Sequence, residues 1–302
     1  MEIIKIATHD GMFHADEVFA VAVLKLYFQK ENKQIEIIRT RDQKIISQCD
    51  IAVDVGDEYG KTRKRFDHHQ KKKPKNRKNN IPYASFGLVW RHFGNKLTSS
   101  KKVHLSVEKK LVMPIDALDN GVLVSNPIFE GVYEFGAWQI VSAINMAYKE
   151  NEIEIAFEKA LEFATLVITG EITRSEAKIE GEKTVTKEII KQNKPKILVL
   201  EKYTNWELAV SKYKEIKFVI FPDKIPTRWC IQTARDNLQV FGQDRISFPL
   251  HWRGLSDQEL ANVTNVIGSV FCHMGGFYAV AKTRLSAIDL ATKALNHKER
   301  HT

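Results

Sequence analysis

The sequence predicts an α/β protein: an N-terminal domain with a mostly parallel sheet, a helical linker, and a smaller α/β domain at the C-terminus. Short apolar runs alternate with stretches of helical apolar spacing, the pattern of strand–helix–strand units. Histidines and aspartates recur just past three of those runs, where open parallel sheets keep their ligands. The pattern resets after Pro195. At roughly 100–200 residues per domain, two cores are expected. The expected bounds are 1–149 for a metal-binding catalytic domain, 150–194 for the linker, and 195–302 for a substrate-binding domain.

Ile3 to Ala7 reads as a short buried strand, followed by a loop containing Gly11. Asp16 to Gln29 carries apolar residues at helical spacing. Ile35 to Ile38 and Ile51 to Val55 read as the second and third strands, the latter ending in carboxylates. Tyr83 to Phe93 and Val103 to Leu118 look helical. Glu150 to Asn193, rich in Glu and Lys, reads as one or two long solvated helices. Beyond it, Lys196 to Leu200, Lys217 to Phe221 and Trp229 to Thr233 are strand-like, and Asp257 to Val266 and Leu285 to Leu295 are helical.

Net charge is +9, which favours an anionic partner. Cys49, Cys230 and Cys272 are scattered and form no CxxC pair, so neither a disulfide framework nor a zinc knuckle is expected. No apolar run approaches the ~18 residues of a membrane span. The N-terminus enters a strand pattern at once, without a charged leader or an Arg-rich presequence, so a cytoplasmic location is expected.

Four clusters carry the chemistry. The first is His9-Asp10-Gly-Met-Phe-His14-Ala-Asp16-Glu17, at the entry to a helix whose N-terminus adds positive potential for an anion. Imidazole with carboxylate suits Mn, Fe, Co or Zn. The second is Asp54-Val-Gly-Asp57, where a strand-end aspartate can bridge two cations. The third is Asp67-His68-His69; neighbours on an extended segment point to opposite sides, so one histidine can ligate while the other faces substrate. The fourth is Asp116-Ala-Leu-Asp119-Asn-Gly121. Taken singly, a strand-end Asp is usually a turn or a cap. Together, at one rim, the clusters favour a metal site, and the carboxylates outnumber what one ion needs. Two ions ~3.5–4 Å apart would lower the pKa of a shared water and clamp the attacking and leaving oxygens at phosphorus.

His9, His14-Ala-Asp16, Asp54 and Asp67-His68-His69 resemble the motifs of the DHH phosphoesterases, which include RecJ-type exonucleases, oligoribonucleases and family II inorganic pyrophosphatases. The longer words THDGMFHADE, VDVGDEY, RFDHHQ, SFGLVWRHFG, IDALDNG, FPLHWRGLSDQEL and HMGGF resemble one branch, the Myg-type exonuclease family (UPF0160), also labelled metal-dependent protein hydrolases. The match runs to about residue 283. The resemblance implies a DHH-like fold in which His9, His14 and Asp54 hold one metal. Asp16, Asp54, His68 and Asp119 hold the other. His69 would contact the scissile phosphate, and Asp67 would orient a histidine from behind. Asp119 is preferred over Asp116, because Asp119-Asn-Gly stands where relatives have Asp-Thr-Gly; Asp116, Asp57 and Asp10 are second choices. The implied cofactor is two Mn2+, with Mg2+, Co2+ or Zn2+ as alternatives. DHH enzymes usually carry Asp where this chain has His14, which bears on metal preference. Ala279-Val280 follow HMGGF where the branch usually continues with Gly-Gly.

In DHH enzymes the C-terminal domain folds over the metals. Arg253 can grip phosphate, and His273, Gly275 and Gly276 allow close approach to an anion. Trp252 reads either as a base-stacking residue or as core. Arg174 is a further substrate candidate if the bridging helices fold back. The run Lys71 to Lys78 has six basic residues in eight positions. It either steers a nucleic-acid backbone or is a solvated loop.

The leading expectation is a metal-dependent phosphodiester hydrolase, an exonuclease on RNA or short oligonucleotides. The alternatives are a phosphatase or phosphodiesterase for pyrophosphate, nucleotides or linear dinucleotides, and a non-catalytic metal-binding protein. Peptide hydrolysis has no support, since no HExxH is present. The expected partner is an anionic phosphate substrate, with no membrane. The oligomeric state is left open, a homodimer among the options.

Overall fold

The computed structural model describes residues 2–71, 74–238 and 242–297. The chain divides into two units, Met1–Glu176 and Ala177–Thr302.

The first unit is built on five strands: β1 (Ile3–Thr8), β2 (Gln34–Arg39), β3 (Ile51–Val53), β4 (Tyr59–Gly60) and β5 (Arg65–Phe66), in the order β2-β1-β3-β5-β4. β2, β1, β3 and β5 run parallel, and β4 is antiparallel at the edge. The carboxyl ends of four strands therefore lie along one rim. β3 stops two residues earlier than its apolar run suggests. Asp54 turns into the left-handed region at φ 56°, which ends the ladder and which Asp tolerates better than most residues.

Helix Ala15–Lys30 is buried continuously from Ala15 to Leu24. It packs Val18, Phe19 and Leu24 into the first core together with Ile6, Val53, Phe86 and Trp90. Each such side chain contributes roughly 1.5–3 kcal/mol on burial. The Tyr83 to Phe93 stretch is helical over Ser85–Val89 and continues as a π-helical turn, Trp90–Gly94. Val103 to Leu118 lies within helices Lys101–Val107 and Met113–Asp119, joined by a second π-helical segment, Glu108–Val112.

The Glu- and Lys-rich stretch is one 39-residue helix, Ile153–Lys191. It is less solvated than its composition suggests. Ala156, Phe157, Ala160, Leu161, Ala164 and Ile168 pack on the first core, and Val185 and Ile189 on a core of the second unit.

The second unit holds β6 (Ile197–Val199), β7 (Phe218–Pro222), β8 (Trp229–Thr233), β9 (Ser269–Cys272) and β10 (Tyr278–Ala281), in the order β6-β7-β8-β10-β9. Only the β6–β7 pair is parallel. Helices Asp257–Thr264 and Arg284–Asn296 pack on this sheet. The expected mixed α/β architecture is thus present in both units. Ala279 and Val280 are buried members of β10, where side chains fill the core. Among the described residues no helix is long and apolar enough to cross a membrane.

Candidate metal centre

The rim of the first sheet gathers the predicted ligands. His9 follows β1, His14 and Asp16 open helix Ala15–Lys30, Asp54 follows β3, His68 and His69 follow β5, and Asp119 ends helix Met113–Asp119. Ligand atoms of His9, His14 and Glu17 lie within 4.8 Å of one another; the same holds for Asp16, His68 and Asp119.

Asp54 stands between these sets. Its Oδ2 is 3.4 Å from His9 Nε2, and its Oδ1 is 3.3 Å from His68 Nε2. His68 Nε2 is also 3.2 Å from Asp119 Oδ2 and 3.7 Å from Asp16 Oδ2. Neighbouring donors around an ion with ~2.1 Å bonds are spaced about 3.0–3.4 Å. Asp16 Oδ1, Glu17 Oε2 and both His68 ring nitrogens are buried without a hydrogen-bond partner. Buried polar groups left unpaired cost free energy. Orphaned carboxylate oxygens facing an imidazole nitrogen are the donor set that divalent cations take, and the residues present fit such ions.

The electrostatics agree with this. Burial first, and then the charges of Asp54, Asp119 and Glu17, push Asp16 well above the usual carboxylate range. Burial likewise raises Asp119, against the pull of His68. Burial disfavours the Asp54 charge too, yet His68 and His9 hold that carboxyl far below its ordinary value. His9 is lowered by burial but lifted more by Asp54 and Glu17, to about 10.

Glu17 and Ser85 belong to the centre and were not singled out from the sequence. Glu17 is fully buried; its Oε1 is 2.9 Å from His9 Nε2 and accepts from the His14 main-chain nitrogen at 2.7 Å. Its position three residues past His14, at the start of a helix, is the available signal. Ser85 donates its hydroxyl to Asp54 Oδ1 at 2.8 Å, and its main-chain nitrogen is 3.3 Å from Asp16 Oδ2.

Asp67 Oδ1 accepts from the main-chain nitrogen of His69 at 3.0 Å and lies 2.9 Å from its Nδ1; Asp67 Oδ2 accepts from the Asp57 nitrogen at 2.7 Å. Asp67 is held below its usual range by His69 despite burial, and the contact with Asp67 raises His69. His69 is half exposed and lines a cleft of about 330 Å3 with His9, His14, Arg41, Asp54 and Asp57. The geometry fixes Asp57 as a main-chain donor to Asp67, and Asp10 as the exposed partner of Arg41.

Asp116 serves a different network. Its Oδ1 accepts from the Gly87 nitrogen at 2.9 Å and its Oδ2 pairs with Arg77 Nη2 at 2.7 Å. Burial pushes it up to about 7 even with Arg77 beside it. Arg77 also bonds Glu108 at 3.0 Å and the Pro82 carbonyl at 3.0 Å, and lies over the Tyr83 ring. Arg77 is therefore a buried clamp rather than a member of a solvated or steering run. Lys71, Lys75 and Lys78 are exposed. Lys72 and Lys73 lie outside the described residues.

The other predicted substrate residues have their own local partners. Arg174 is exposed on the long helix and paired with Glu171 at 2.7 Å. In the second unit, Arg253 Nε donates to the Phe248 carbonyl at 2.9 Å, and the Gly275 nitrogen donates to His273 Nδ1 at 2.9 Å. Gly276 has φ 69°, and a Cβ there would come within 2.5 Å of Arg253, so only glycine fits. Trp252 is buried against Phe248 and is a core residue, not a stacking platform.

The sequence pattern described as uncharacterised protein family UPF0160 matches residues 5–295. The chain is 30% identical to the MYG1 protein of Dictyostelium discoideum, over 98% of each chain. It is 30% identical to the MYG1 exonuclease of Homo sapiens, over 96% of this chain and 85% of that one. Among solved structures it is similar to RecJ of Thermus thermophilus in complex with Mn2+, at TM-score 0.28 and 11% identity, covering 97% of this chain and 52% of that one. With the family pattern spanning nearly its whole length, the chain belongs to the UPF0160 family.

Proposed function

We propose that this chain is a metal-dependent exonuclease that removes nucleotides from RNA or short oligonucleotides. The observation that carries this reading is Asp54, whose two oxygens face two separate sets of histidine and carboxylate donors. Metal-dependent hydrolysis fits the family, in which relatives of human, rat and cattle are named MYG1 exonuclease. In this reading His9, His14, Glu17 and Asp54 would hold one divalent ion, and Asp16, Asp54, His68 and Asp119 a second, with Mn2+ the leading choice. Divalent ions bound there would lower the pKa of water and neutralise charge building at phosphorus.

The chain's own groups supply the rest. His69 keeps Nδ1–H on Asp67, so Nε2 is directed away from that carboxylate. The contact with Asp67 raises His69, which favours the doubly protonated ring that can donate to a phosphate oxygen. Asp67 fixes both the ring and its tautomer. Ser85 holds the Asp54 carboxylate in place. Arg253, His273, Gly275, Gly276 and Arg174 are the proposed contacts to the remainder of the substrate.

A second reading is a phosphodiesterase for nucleotides or dinucleotides, since a cleft of about 330 Å3 lies at the small end of ligand sites. End-labelled RNA incubated with Mn2+ and the protein separates the two. Stepwise shortening of long RNA supports the exonuclease. Turnover confined to dinucleotides supports the small-substrate enzyme, and no hydrolysis of either rejects both.

A further inference from the structure

Arg41 lies two residues beyond β2 and lines the cleft that holds His69, His14 and Asp57. Its Nη1 is tied down, donating to the Asp10 carbonyl at 2.5 Å and to the Asp10 carboxylate. Among the described residues, the hydrogen bonds and the ion pair of this guanidinium run through Nη1. The Nε–Nη2 edge is left uncommitted on a side chain that is 60% exposed. That edge carries two parallel N–H donors, the fork that matches two oxygens of a phosphate. Asp10 holds the fork in place beforehand, which reduces the freedom lost on binding.

The sheet order places the fork to one side of the metal centre. Arg41 follows β2, His9 follows β1, Asp54 follows β3 and His69 follows β5, along the row β2-β1-β3-β5. Neighbouring strands are ~4.8 Å apart, so Arg41 and His69 spring from opposite ends of a row three spacings long, roughly 14 Å. His69 is already at Asp54, with Nδ1 3.5 Å from Oδ1. Arg41 is on the far side of His9.

We propose that Arg41 grips a second phosphate of the substrate, next to the scissile one, so that the cleft reads two successive phosphates. The proposal rests on the phosphodiesterase reading of the metal centre and assigns it a substrate preference.

The test uses the metal-loaded full chain and dinucleotides with and without a terminal phosphate, at the 5′ end in one pair and the 3′ end in another. Wild type is expected to prefer the phosphorylated member of one pair. Arg41→Gln is expected to lower kcat/KM for that substrate roughly 10- to 100-fold through KM, and to leave the bare dinucleotide within about twofold. Arg41→Lys, which keeps charge but not the fork, is expected to recover only part of the loss. Equal loss on both substrates, or none, overturns the proposal. So does a matching loss of bound metal in Arg41→Gln, which would reassign Arg41 to holding the His9 loop. If wild type cleaves neither substrate, the phosphodiesterase reading fails by itself. Calorimetric binding of a nucleoside 3′,5′-bisphosphate against the two monophosphates then decides for Arg41. A bisphosphate preference lost in Arg41→Gln supports the second subsite, and a preference retained overturns it.

Discussion

Glu17 Oε1 lies 2.9 Å from His9 Nε2, inside the first turn of the helix that His14 opens. The same oxygen accepts from the His14 main-chain nitrogen, so one carboxylate braces both histidines of the first donor set. Glu17→Gln keeps the shape and an acceptor but removes the charge. Its Mn2+ affinity, measured by calorimetric titration, is expected to fall roughly 10- to 100-fold while the protein stays folded. Unchanged affinity would remove Glu17 from the centre.

Asp16 is buried among the charges of Asp54, Asp119 and Glu17. Without a cation these carboxylates repel one another in a poorly solvated site. Asp16→Asn is therefore expected to raise the Tm of the chelated protein and to shrink the Tm gain on adding Mn2+. Scanning calorimetry with and without chelator reads both. A lower Tm in chelator would contradict the electrostatic picture.

The site was partly legible in the sequence. The four His and Asp clusters could be found because strand ends and helix ends show in the apolar pattern. The choice of His68 over His69 and of Asp119 over Asp116 rests on the family resemblance alone. Glu17 could not be told from an ordinary first-turn acid, since burial leaves no mark on a single sequence. Arg77 reads as part of a basic run, and only tertiary packing pairs it with Asp116 and Glu108. In the second unit, Ser269–Cys272 and Tyr278–Ala281 were not read as strands. Each is only four residues long, too short for alternation to register.

His9 contributes a pH dependence above neutrality. Its folded pKa, about 10, lies above the ordinary 6.5. The folded metal-free chain therefore binds more protons than the unfolded chain between about pH 6.5 and 10, and stability falls as pH rises through that window. His9→Gln is expected to flatten this slope in denaturant titrations. Because a metal takes neutral imidazole, Mn2+ binding at about pH 7 is also expected to release a proton. Calorimetry in two buffers of different ionisation enthalpy measures it, and identical heats would contradict a protonated His9.

Arg77 and Asp116 form a buried pair beside Gly87. Arg77→Ala leaves a buried carboxylate without its counter-charge and is expected to cost about 3–5 kcal/mol in urea unfolding. Gly87→Ala would place a Cβ 1.8 Å from Asp116 Oδ2 and 2.4 Å from Arg77 Nη2, so it is expected to destabilise by a similar route. A loss below about 1 kcal/mol for both would mean that the pair is solvated.

The central claim is that Asp54 is shared between two divalent ions. Anomalous diffraction from crystals grown with Mn2+ tests it most directly. Two Mn2+ peaks are expected, one near His9 and His14 and one near His68 and Asp119, with an Asp54 oxygen on each, and Asp54→Ala is expected to lose at least one. A single peak, or two peaks that persist in Asp54→Ala, would contradict it.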